Sequence, residues 1–375
     1  MQNPQYSRRH FLKGPVGAVV AAAPAILRGQ APSDTLRVAF VGVGNRGSYL
    51  LENMLKVPGV AVVAVCDLQE ERARKAAQMV AAAGGSARVW SDFRKMLDEQ
   101  KEIDAVVQAV FDYKHKDTNL AILEVGKHLY AEKPLALTVA DCKMTVNAAK
   151  QARRVFQVGF QLRHDPHRNA AEKFIHGGGI GKVLMCHGIR HGGDLPRDIP
   201  WYFDKNHSGD MVIDQGIHIL DLFTWAIGAH PVRAMGSGGT NLFLNEPPGR
   251  TVMDNYNLIL EYPNGVRVNF SHHYFDPPGF TGIQERVFGS GGAIDLIRAT
   301  FLPREKREVV QIDVPDAGKD STYMALAAFV DSVKNEEPVI NSAESAYVAT
   351  VQAILGTKAV YEKRIVTWEE VAGKS

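Results

Sequence analysis

The chain has 375 residues, of which 45% are hydrophobic, 22% charged and 8% aromatic. This composition is typical of a globular protein and excludes disordered, collagen-like and coiled-coil classes, while the length suits two domains. The 43 Lys and Arg nearly balance the 41 Asp and Glu, so nothing favours binding to nucleic acid or to an anionic membrane surface. Cys66, Cys142 and Cys186 are too widely spaced for a C-x-x-C pair, a dense disulfide framework or a structural zinc site.

The first 31 residues have the three parts of an export signal. The basic segment Ser7-Arg8-Arg9-His10-Phe11-Leu12-Lys13 precedes an apolar run over 15–27 and small residues near Ala31. That run is shorter than the about 20 residues that span a bilayer, so no stable membrane anchor is expected. The paired arginines are typical of the twin-arginine route and predict export to the periplasm by that machinery. The alternative is a frayed basic N-terminus before an amphipathic helix.

The next segment has the pattern of a dinucleotide-binding turn. A short apolar segment, Leu36–Val41, runs into Gly42-Val43-Gly44-Asn45-Arg46-Gly47 and a helical pattern, and a second predicted strand, Val60–Cys66, ends at Asp67. The glycines allow a tight turn and a close approach to a pyrophosphate, which the helix N-terminus would bind. Asp67 would accept hydrogen bonds from the adenosine ribose and repel a 2′-phosphate. The sequence therefore predicts NAD in preference to NADP.

Strands and helices continue to alternate as far as residue 160. We predict helices over 72–83, 93–99, 117–124 and 138–153, and strands over 87–90, 103–110, 128–131 and 155–160. Such repeats imply an α/β fold with a doubly wound parallel Rossmann sheet. Ligands of these sheets lie beyond the carboxyl ends of the strands, where residues 110–115 and 132–133 fall.

The sequence of the second half of the chain predicts an arrangement different from that of the Rossmann sheet. A helix is predicted over 211–227, and β-rich runs at 257–262 and 266–274 are joined by Asn264-Gly265, a strong hairpin signal. Antiparallel strands of this kind expose a face or an edge, through which a homodimer or homotetramer is expected. Amphipathic helices over 322–334 and 343–363 would pack back on the first domain. The predicted division is a signal at 1–31, an NAD-binding domain at 34–156, a substrate and oligomerisation domain at 157–318, and C-terminal helices at 319–375.

Three further motifs follow the glycine turn in order: Glu132-Lys133-Pro134, Gly159-Phe160-Gln161-Leu162-Arg163, and Asp214-Gln215-Gly216-Ile217-His218-Ile219-Leu220-Asp221. With that turn they resemble the glucose–fructose oxidoreductase, inositol dehydrogenase and rhizopine-catabolism (Gfo/Idh/MocA) family. The resemblance implies a Rossmann domain followed by an α+β domain with an open, mostly antiparallel sheet, and action on sugars or polyols. It further implies that the side chains near NAD include Val110, His115, Glu132, Lys133 and Gln161.

This chain departs from the family pattern in two places. The usual Thr-Pro-Asn-x-x-His reads Val110-Phe111-Asp112-Tyr113-Lys114-His115, and a run of three glycines reads Ser208-Gly209-Asp210. The first departure changes side chains that often line the nicotinamide. Both put details of the substrate loops in question, while the cofactor turn is unaffected.

Oxidation of a secondary alcohol needs a nicotinamide ring, a proton acceptor and a positive charge near the developing alkoxide. Taken alone, Lys133 would be a solvated strand end and His218 a core histidine. The resemblance instead implies that Lys133, Asp214 and His218 form the reacting group, and Asp214 and His218 would share one helix face at i and i+4. Lys133 can supply the charge and His218 suits acid–base work near neutral pH. Which of the two accepts the proton stays open.

Trp201 and Tyr202, together with Arg163, are predicted to form a platform for a sugar ring, because aromatic faces stack on C–H faces. The alternative for Trp201 is a loop anchor packed on the core.

No metal site is predicted. His187 and His191 are surrounded by glycines, which argue against a rigid helix, and His272 and His273 are strand neighbours that face opposite sides.

Export and NAD together favour an enzyme that folds around its cofactor and keeps it, since free dinucleotide is scarce outside the cytoplasm. We therefore predict an exported NAD-dependent oxidoreductase that acts on a secondary hydroxyl of a sugar, sugar derivative or polyol and retains its cofactor. The alternative is a redox-neutral, NAD-dependent glycosidase or lyase that forms a transient keto-sugar. A second alternative is a non-catalytic sugar or dinucleotide sensor.

Overall fold

Six parallel strands form the first sheet of the computed structural model, which describes residues 35–280 and 282–373. The predicted export signal at 1–31 lies outside the described residues. The strands are β1 (Leu36–Val41), β2 (Val60–Cys66), β3 (Arg88–Trp90), β4 (Ala105–Gln108), β5 (His128–Ala131) and β6 (Phe156–Val158), in the order β3-β2-β1-β4-β5-β6. This order confirms the predicted Rossmann sheet.

Five helices alternate with these strands: α1 (Asn45–Met54), α2 (Glu70–Ala82), α3 (Phe93–Glu99), α4 (His115–Glu124) and α5 (Val139–Ala152). The central strand β4 is buried at all four positions, as expected of a parallel sheet covered on both faces. It is shorter than predicted at its carboxyl end, because the Gln108 side chain accepts a hydrogen bond from the Val110 N–H (2.9 Å). Val110 therefore lies outside the strand, in the segment that follows it.

The second sheet has nine strands and confirms the predicted mostly antiparallel sheet. They are β7 (Val183–His191), β8 (Arg233–Gly239), β9 (Asn255–Glu261), β10 (Arg267–His273), β11 (Gly282–Gly289), β12 (Gly292–Asp295), β13 (Thr300–Pro303), β14 (Val310–Gln311) and β15 (Val366–Thr367). Their order is β14-β13-β12-β11-β7-β10-β9-β8-β15, and only the central pair β7 and β10 is parallel among these described strands.

The remaining helices pack against both sheets. They are α6 (Pro166–His176), α7 (Lys205–Ser208), α8 (Ile217–Ile227), α9 (Ser321–Asn335), α10 (Ala343–Glu362) and α11 (Trp368–Ala372). One hydrophobic cluster includes side chains of both sheets, of α8 and of α10, while a second places Leu326 and Phe329 of α9 against the first sheet and α1. None of the helices in the described part of the chain is long and apolar enough to cross a membrane.

Residues from Thr35 onward form one compact unit. The domain boundaries at 156 and 318 stay predictions.

Candidate active site

The glycine turn after β1 is built to bring backbone against backbone. Gly42 has φ +81°, and a Cβ on it would lie 2.5 Å from the carbonyl oxygen of Ala109. A Cβ on Gly47 would lie 2.0 Å from the Gly42 oxygen, so this glycine lets α1 pack on the turn. Above Gly44 the space is open apart from the Arg72 guanidinium, whose Nη1 would be 3.2 Å from a Cβ. The turn is therefore a cradle into which a pyrophosphate fits.

Asp67, the residue predicted to bind the ribose, stabilises the glycine turn. Asp67 accepts hydrogen bonds from the N–H groups of Val43 (Oδ2, 3.0 Å) and Gln69 (Oδ1, 2.8 Å). No side chain of the described residues caps the N-terminus of α1, so its first N–H groups are available to an anion. Asn45 is the first residue of that helix. These features fit NAD as the bound dinucleotide.

Two glycine substitutions should separate packing from cofactor binding. Gly47→Ala is expected to lower the free energy of unfolding by about 1–3 kcal/mol, because its Cβ would overlap a backbone oxygen. Gly44→Ala meets only the mobile end of Arg72, so it should leave the melting temperature unchanged. It should weaken NAD binding about tenfold or more, which calorimetric titration would measure as about 1.4 kcal/mol. Equal melting temperatures for both variants would contradict this assignment.

Three more of the predicted cofactor residues are Arg46, Glu132 and Gln161. Arg46 donates from Nε to Glu132 Oε1 (2.7 Å) and from Nη1 to Thr322 Oγ1 (3.2 Å), which joins α1, the end of β5 and α9. The Oε1 atom of Gln161 is buried without a hydrogen-bond partner among the described residues. A buried acceptor of this kind needs a donor, and a bound ligand can supply it.

His115 is fully buried and contacts backbone oxygens on both sides. Its Nδ1 lies 2.6 Å from the Pro134 oxygen and its Nε2 3.1 Å from the Val110 oxygen. It therefore ties the end of β4 to the turn after β5, where the Lys133–Pro134 peptide is cis. The prediction that His115 itself contacts NAD stays a prediction.

Lys133 and Asp214 form the centre of the site. The Lys133 Nζ donates to Asp214 Oδ1 (2.6 Å) and to the Asp214 carbonyl oxygen (2.7 Å), and both side chains are largely buried. Burial alone would lower the pKa of Lys133, but the carboxylates of Asp214, Asp112 and Glu132 outweigh burial and raise this pKa. Lys133 is therefore a protonated ammonium group at neutral pH.

A π-helical turn over Val212–Gly216 precedes α8, so the predicted helix at 211–227 is α-helical only from Ile217. The wide turn leaves the Asp214 carbonyl oxygen available to Lys133. Turns of this kind are frequent at functional sites. The sequence gives an apolar helical pattern here but no sign of the wider turn.

His218 follows on the first turn of α8. Burial, and after it the positive charges of Lys133 and Arg190, hold the pKa of His218 well below its usual value. Its Nδ1 is buried without a hydrogen-bond partner among the described residues. The site therefore combines a neutral imidazole with a charged ammonium group.

Asp112 is a buried carboxyl that the sequence pattern did not single out as functional. It takes the place of the asparagine expected after β4, and its Oδ2 has no hydrogen-bond partner among the described residues. Burial, and then the Asp214 carboxylate, raise its pKa well above the usual range. Asp112 therefore holds its proton more tightly than an ordinary aspartic acid, and only the burial seen in the structure could reveal this.

Asp210 occupies the position where a glycine was expected, and its φ of +154° lies in the region that favours glycine. Its Oδ2 accepts hydrogen bonds from Tyr256 (2.9 Å) and Tyr361 (2.8 Å), and its Oδ1 accepts one from the Val212 N–H (3.1 Å). Burial nevertheless raises the pKa of Asp210 to about 6. The charge on this carboxylate is thus a cost to the folded state.

Asp210→Asn should stabilise the protein above about pH 6 and not below about pH 4. The raised pKa means that the folded state holds a proton which the unfolded state loses earlier, so wild-type stability falls between about pH 4 and pH 6. The amide carries no charge, so at about pH 8 the variant should be more stable by about 1–3 kcal/mol, with no gain below about pH 4. Urea unfolding at both pH values would measure the difference. A gain of equal size at both would contradict the assignment.

The inner face of the second sheet places polar side chains beside Asp214. Tyr274 donates to Gln215 Oε1 (2.6 Å), and its hydroxyl lies 3.0 Å from that of Tyr202. Arg190 and His272 are direct neighbours across β7 and β10. The Nε of Arg190 and the Nδ1 of His272 are buried without hydrogen-bond partners among the described residues. These unpaired groups are candidate contacts for substrate oxygens. The sequence does not reveal them, because the two residues become neighbours only through the register of β7 and β10.

Trp201 lies among further aromatic side chains, and its part in a platform for a sugar ring stays a prediction. The Trp201 ring meets Phe111 edge-on, with centroids 5.3 Å apart, and Phe111 stacks on Tyr113 at 5.8 Å. Phe111 and Tyr113 are 39% and 37% exposed. The residues that replace the family pattern after β4 therefore form an open apolar surface with Trp201. Tyr202 is fully buried, so its ring does not form part of this open surface, and its hydroxyl lies 3.0 Å from that of Tyr274.

Arg163 lies elsewhere in the fold. Its guanidinium makes two bonds to Asp221 (2.6 and 2.7 Å) and one to the Ile340 carbonyl oxygen (3.1 Å), and it lies over the Trp225 ring. Both charged groups are buried. These contacts place Arg163 in the core, where its guanidinium is already paired. Arg163 is therefore not part of the predicted platform for a sugar ring.

Comparisons with known proteins match both halves of the chain. Residues 36–160 match the family described as an oxidoreductase family with an NAD-binding Rossmann fold, and residues 169–295 match the GFO/IDH/MocA C-terminal domain. Inositol 2-dehydrogenase 2 of Saccharopolyspora erythraea is 32% identical over 264 residues, covering 70% of this chain and 73% of that protein. Myo-inositol 2-dehydrogenase of Thermotoga maritima is 25% identical over 352 residues, covering 90% and 100%.

A solved structure agrees in fold. Scyllo-inositol dehydrogenase from Lactobacillus casei with bound cofactor NAD(H) and scyllo-inositol has a TM-score of 0.75 at 19% identity, covering 89% of this chain and 99% of that one.

Proposed function

The chain belongs to the Gfo/Idh/MocA family and is an NAD-dependent oxidoreductase acting on CH–OH groups, and we propose that it oxidises a secondary hydroxyl of a polyol or sugar. The observation that carries this proposal is the pairing of protonated Lys133 with Asp214 beside the neutral imidazole of His218. The inositol dehydrogenases among its relatives support the same substrate class.

The two groups have different roles. Lys133 donates a hydrogen bond to the reacting oxygen and stabilises the negative charge that develops there. His218 accepts the hydroxyl proton, because its imidazole is a neutral base whose buried Nδ1 has no hydrogen-bond partner among the described residues. Asp214 holds the ammonium group in place. The cradle after β1 would hold NAD, which supplies the hydride acceptor.

A substrate panel tests this proposal. The tag-free chain is incubated with NAD and with inositol stereoisomers, aldohexoses, their 1-O-methyl glycosides and uronates, and the absorbance of NADH is followed. At least one polyol or sugar should give a keto product and an equal amount of NADH. The same protein carrying Lys133→Met should form NADH about 10²–10³-fold more slowly at matched concentration. Absence of keto product and NADH throughout the panel, in a protein that binds NAD, would refute the proposal.

The buried acid Asp112 favours a second candidate function. Asp112 is buried, its Oδ2 has no hydrogen-bond partner among the described residues, and its pKa is raised. In its protonated form it could give a proton to a glycosidic oxygen, as a redox-neutral glycosidase or lyase using a transient keto-sugar requires. Release of an alcohol from a methyl glycoside without net NADH would select this function. If the Asp112→Asn variant still released the alcohol as fast as the wild type, Asp112 would not be the proton donor.

We also propose that the enzyme is exported through the twin-arginine route with its cofactor bound. The support is the run Ser7–Arg9 with its following apolar segment, and the lack of acidic residues before Asp34. A reporter fused to residues 1–31 should be exported, and the double variant Arg8→Lys, Arg9→Lys should not. Mass spectrometry after gentle denaturation should find about one NAD or NADH per chain, whereas an empty protein would refute retention.

We propose a homodimer or homotetramer formed through the second sheet. Its strands carry half-exposed apolar side chains that include Ile259, Ile283 and Leu302. Light scattering of the purified chain tests this, and a monomer at micromolar concentration would refute it.

A further inference from the structure

Two histidines and an aspartate meet on the outer face of the second sheet, the face opposite α8. His191 ends β7, His273 ends β10, and Asp276 lies three residues beyond β10. We propose that these three side chains bind one divalent transition-metal ion, for which Zn²⁺ is the best match. The site is separate from Lys133 and His218, so it does not depend on the proposed substrate.

The parallel register of β7 and β10 creates the site. His191 and His273 are direct neighbours across the two strands, and their ring centroids are 3.7 Å apart. His272, the neighbour of His273 along the same strand, faces the other side of the sheet and is 1% exposed. The pair that does converge is 82 positions apart along the chain. It could be found only from the register.

The spacing of the ligand atoms suits a tetrahedral ion. His191 Nδ1 lies 3.5 Å from Asp276 Oδ2, and His273 Nε2 lies 3.1 Å from Asp276 Oδ1. Two ligands about 2.1 Å from a tetrahedral zinc ion are about 3.4 Å apart. One ligand atom from each of the three side chains can be chosen so that all lie within 4.8 Å of one another. Small rotations of the two rings would complete the geometry.

The residues around the two histidines favour a bound metal ion over direct hydrogen bonds between the histidines and Asp276. His191 Nε2 lies 2.9 Å from Ser271 Oγ, which fixes the ring with its other nitrogen towards Asp276, as partners of metal-binding histidines do. Phe275 stacks on the His273 ring at 4.3 Å. All three side chains keep some exposure, so an ion has access from solvent.

The ion would join the ends of strands that carry the substrate loop. The Gly192 N–H donates to the His273 oxygen (2.8 Å), and the Asp276 N–H donates to the Gly192 oxygen (3.1 Å). Beyond Gly192 the chain leads to Trp201, and next to His273 is Tyr274, whose hydroxyl reaches Gln215. A metal at this point would therefore stabilise the rim of the active site from the opposite face of the sheet.

Zinc binding by the tag-free chain tests the proposal. The protein is treated with EDTA, freed of the chelator, and titrated with ZnCl₂. We expect about one zinc per chain after gel filtration, a melting temperature raised by a few degrees, and no displacement by excess Mg²⁺ or Ca²⁺, which prefer oxygen ligands. Co²⁺ in place of zinc should give the visible absorption bands of a tetrahedral site.

Matched variants locate the ion. His273→Gln and Asp276→Asn should each weaken zinc binding at least about tenfold and abolish the shift in melting temperature. His207→Gln is the control, because His207 also faces a carboxylate, Asp204 at 3.3 Å, and is not part of this cluster. If His273→Gln fails to fold, Asp276→Asn, which keeps the side-chain shape, decides the matter. Absence of retained zinc in the wild-type protein, or equal zinc affinity in wild type and Asp276→Asn, would overturn the proposal.

Discussion

Replacing Lys133 by methionine is expected to lower kcat by about 10²–10³-fold, the usual cost of removing one donor to a developing oxyanion. Methionine fills similar space without a charge. The Lys133 Nζ donates to both the side chain and the backbone oxygen of Asp214, and no other ammonium group of the described residues does so. Initial rates with the best substrate of the panel, at saturating NAD, measure the effect.

Two controls separate catalysis from folding in this variant. Methionine leaves Asp214 without its cation, so some stability will be lost, and the melting temperature and NAD affinity are measured on the same sample. Lys133→Arg keeps the positive charge and should retain more activity than Lys133→Met at similar stability. If Lys133→Met kept kcat within about threefold, or if Arg and Met variants were equally inactive, charge stabilisation by Lys133 would be excluded.

Local patterns in the sequence predicted the first sheet closely. Strands β1 and β2 have the predicted bounds because each is an apolar β-rich run that ends at a glycine turn or an aspartate. Helix α3 also has the predicted bounds, since Asp92 caps it through the N–H groups of Arg94 and Lys95. Signals of this kind act over a few residues, so the sequence displays them directly.

Contacts between distant strands and helices were not predictable in the same way. Arg163 and Asp221 were named in separate motifs, but their buried pairing requires α8 to pack beside the segment after β6. The role of Asp112 depends on burial next to Asp214, and a change from asparagine to aspartate alone does not show a raised pKa. Chemistry-bearing residue types were recognisable in the sequence, whereas their electrostatic state depends on packing.

Replacing His218 by asparagine is expected to lower kcat/KM by about 10²–10⁴-fold, the usual contribution of a general base. The amide preserves polarity but cannot take the proton. Asn is smaller than His at a position that is largely buried, so some stability will be lost. The melting temperature and NAD affinity are therefore measured on the same sample. Initial rates across a range of pH values give the comparison, since kcat/KM reports groups of the free enzyme.

The pH profile decides which group accepts the proton. With His218 as base, wild-type kcat/KM should be flat through neutral pH and fall only on acidification below the usual histidine range, because burial, Lys133 and Arg190 lower the pKa of His218. Removing the charge in Lys133→Met should raise that pKa and shift the acid limb to higher pH, and His218→Asn should abolish the limb. With Lys133 as base, its raised pKa would instead make the rate increase only at strongly alkaline pH. If kcat/KM increased only at alkaline pH and still did so in His218→Asn, Lys133 and not His218 would be the proton acceptor.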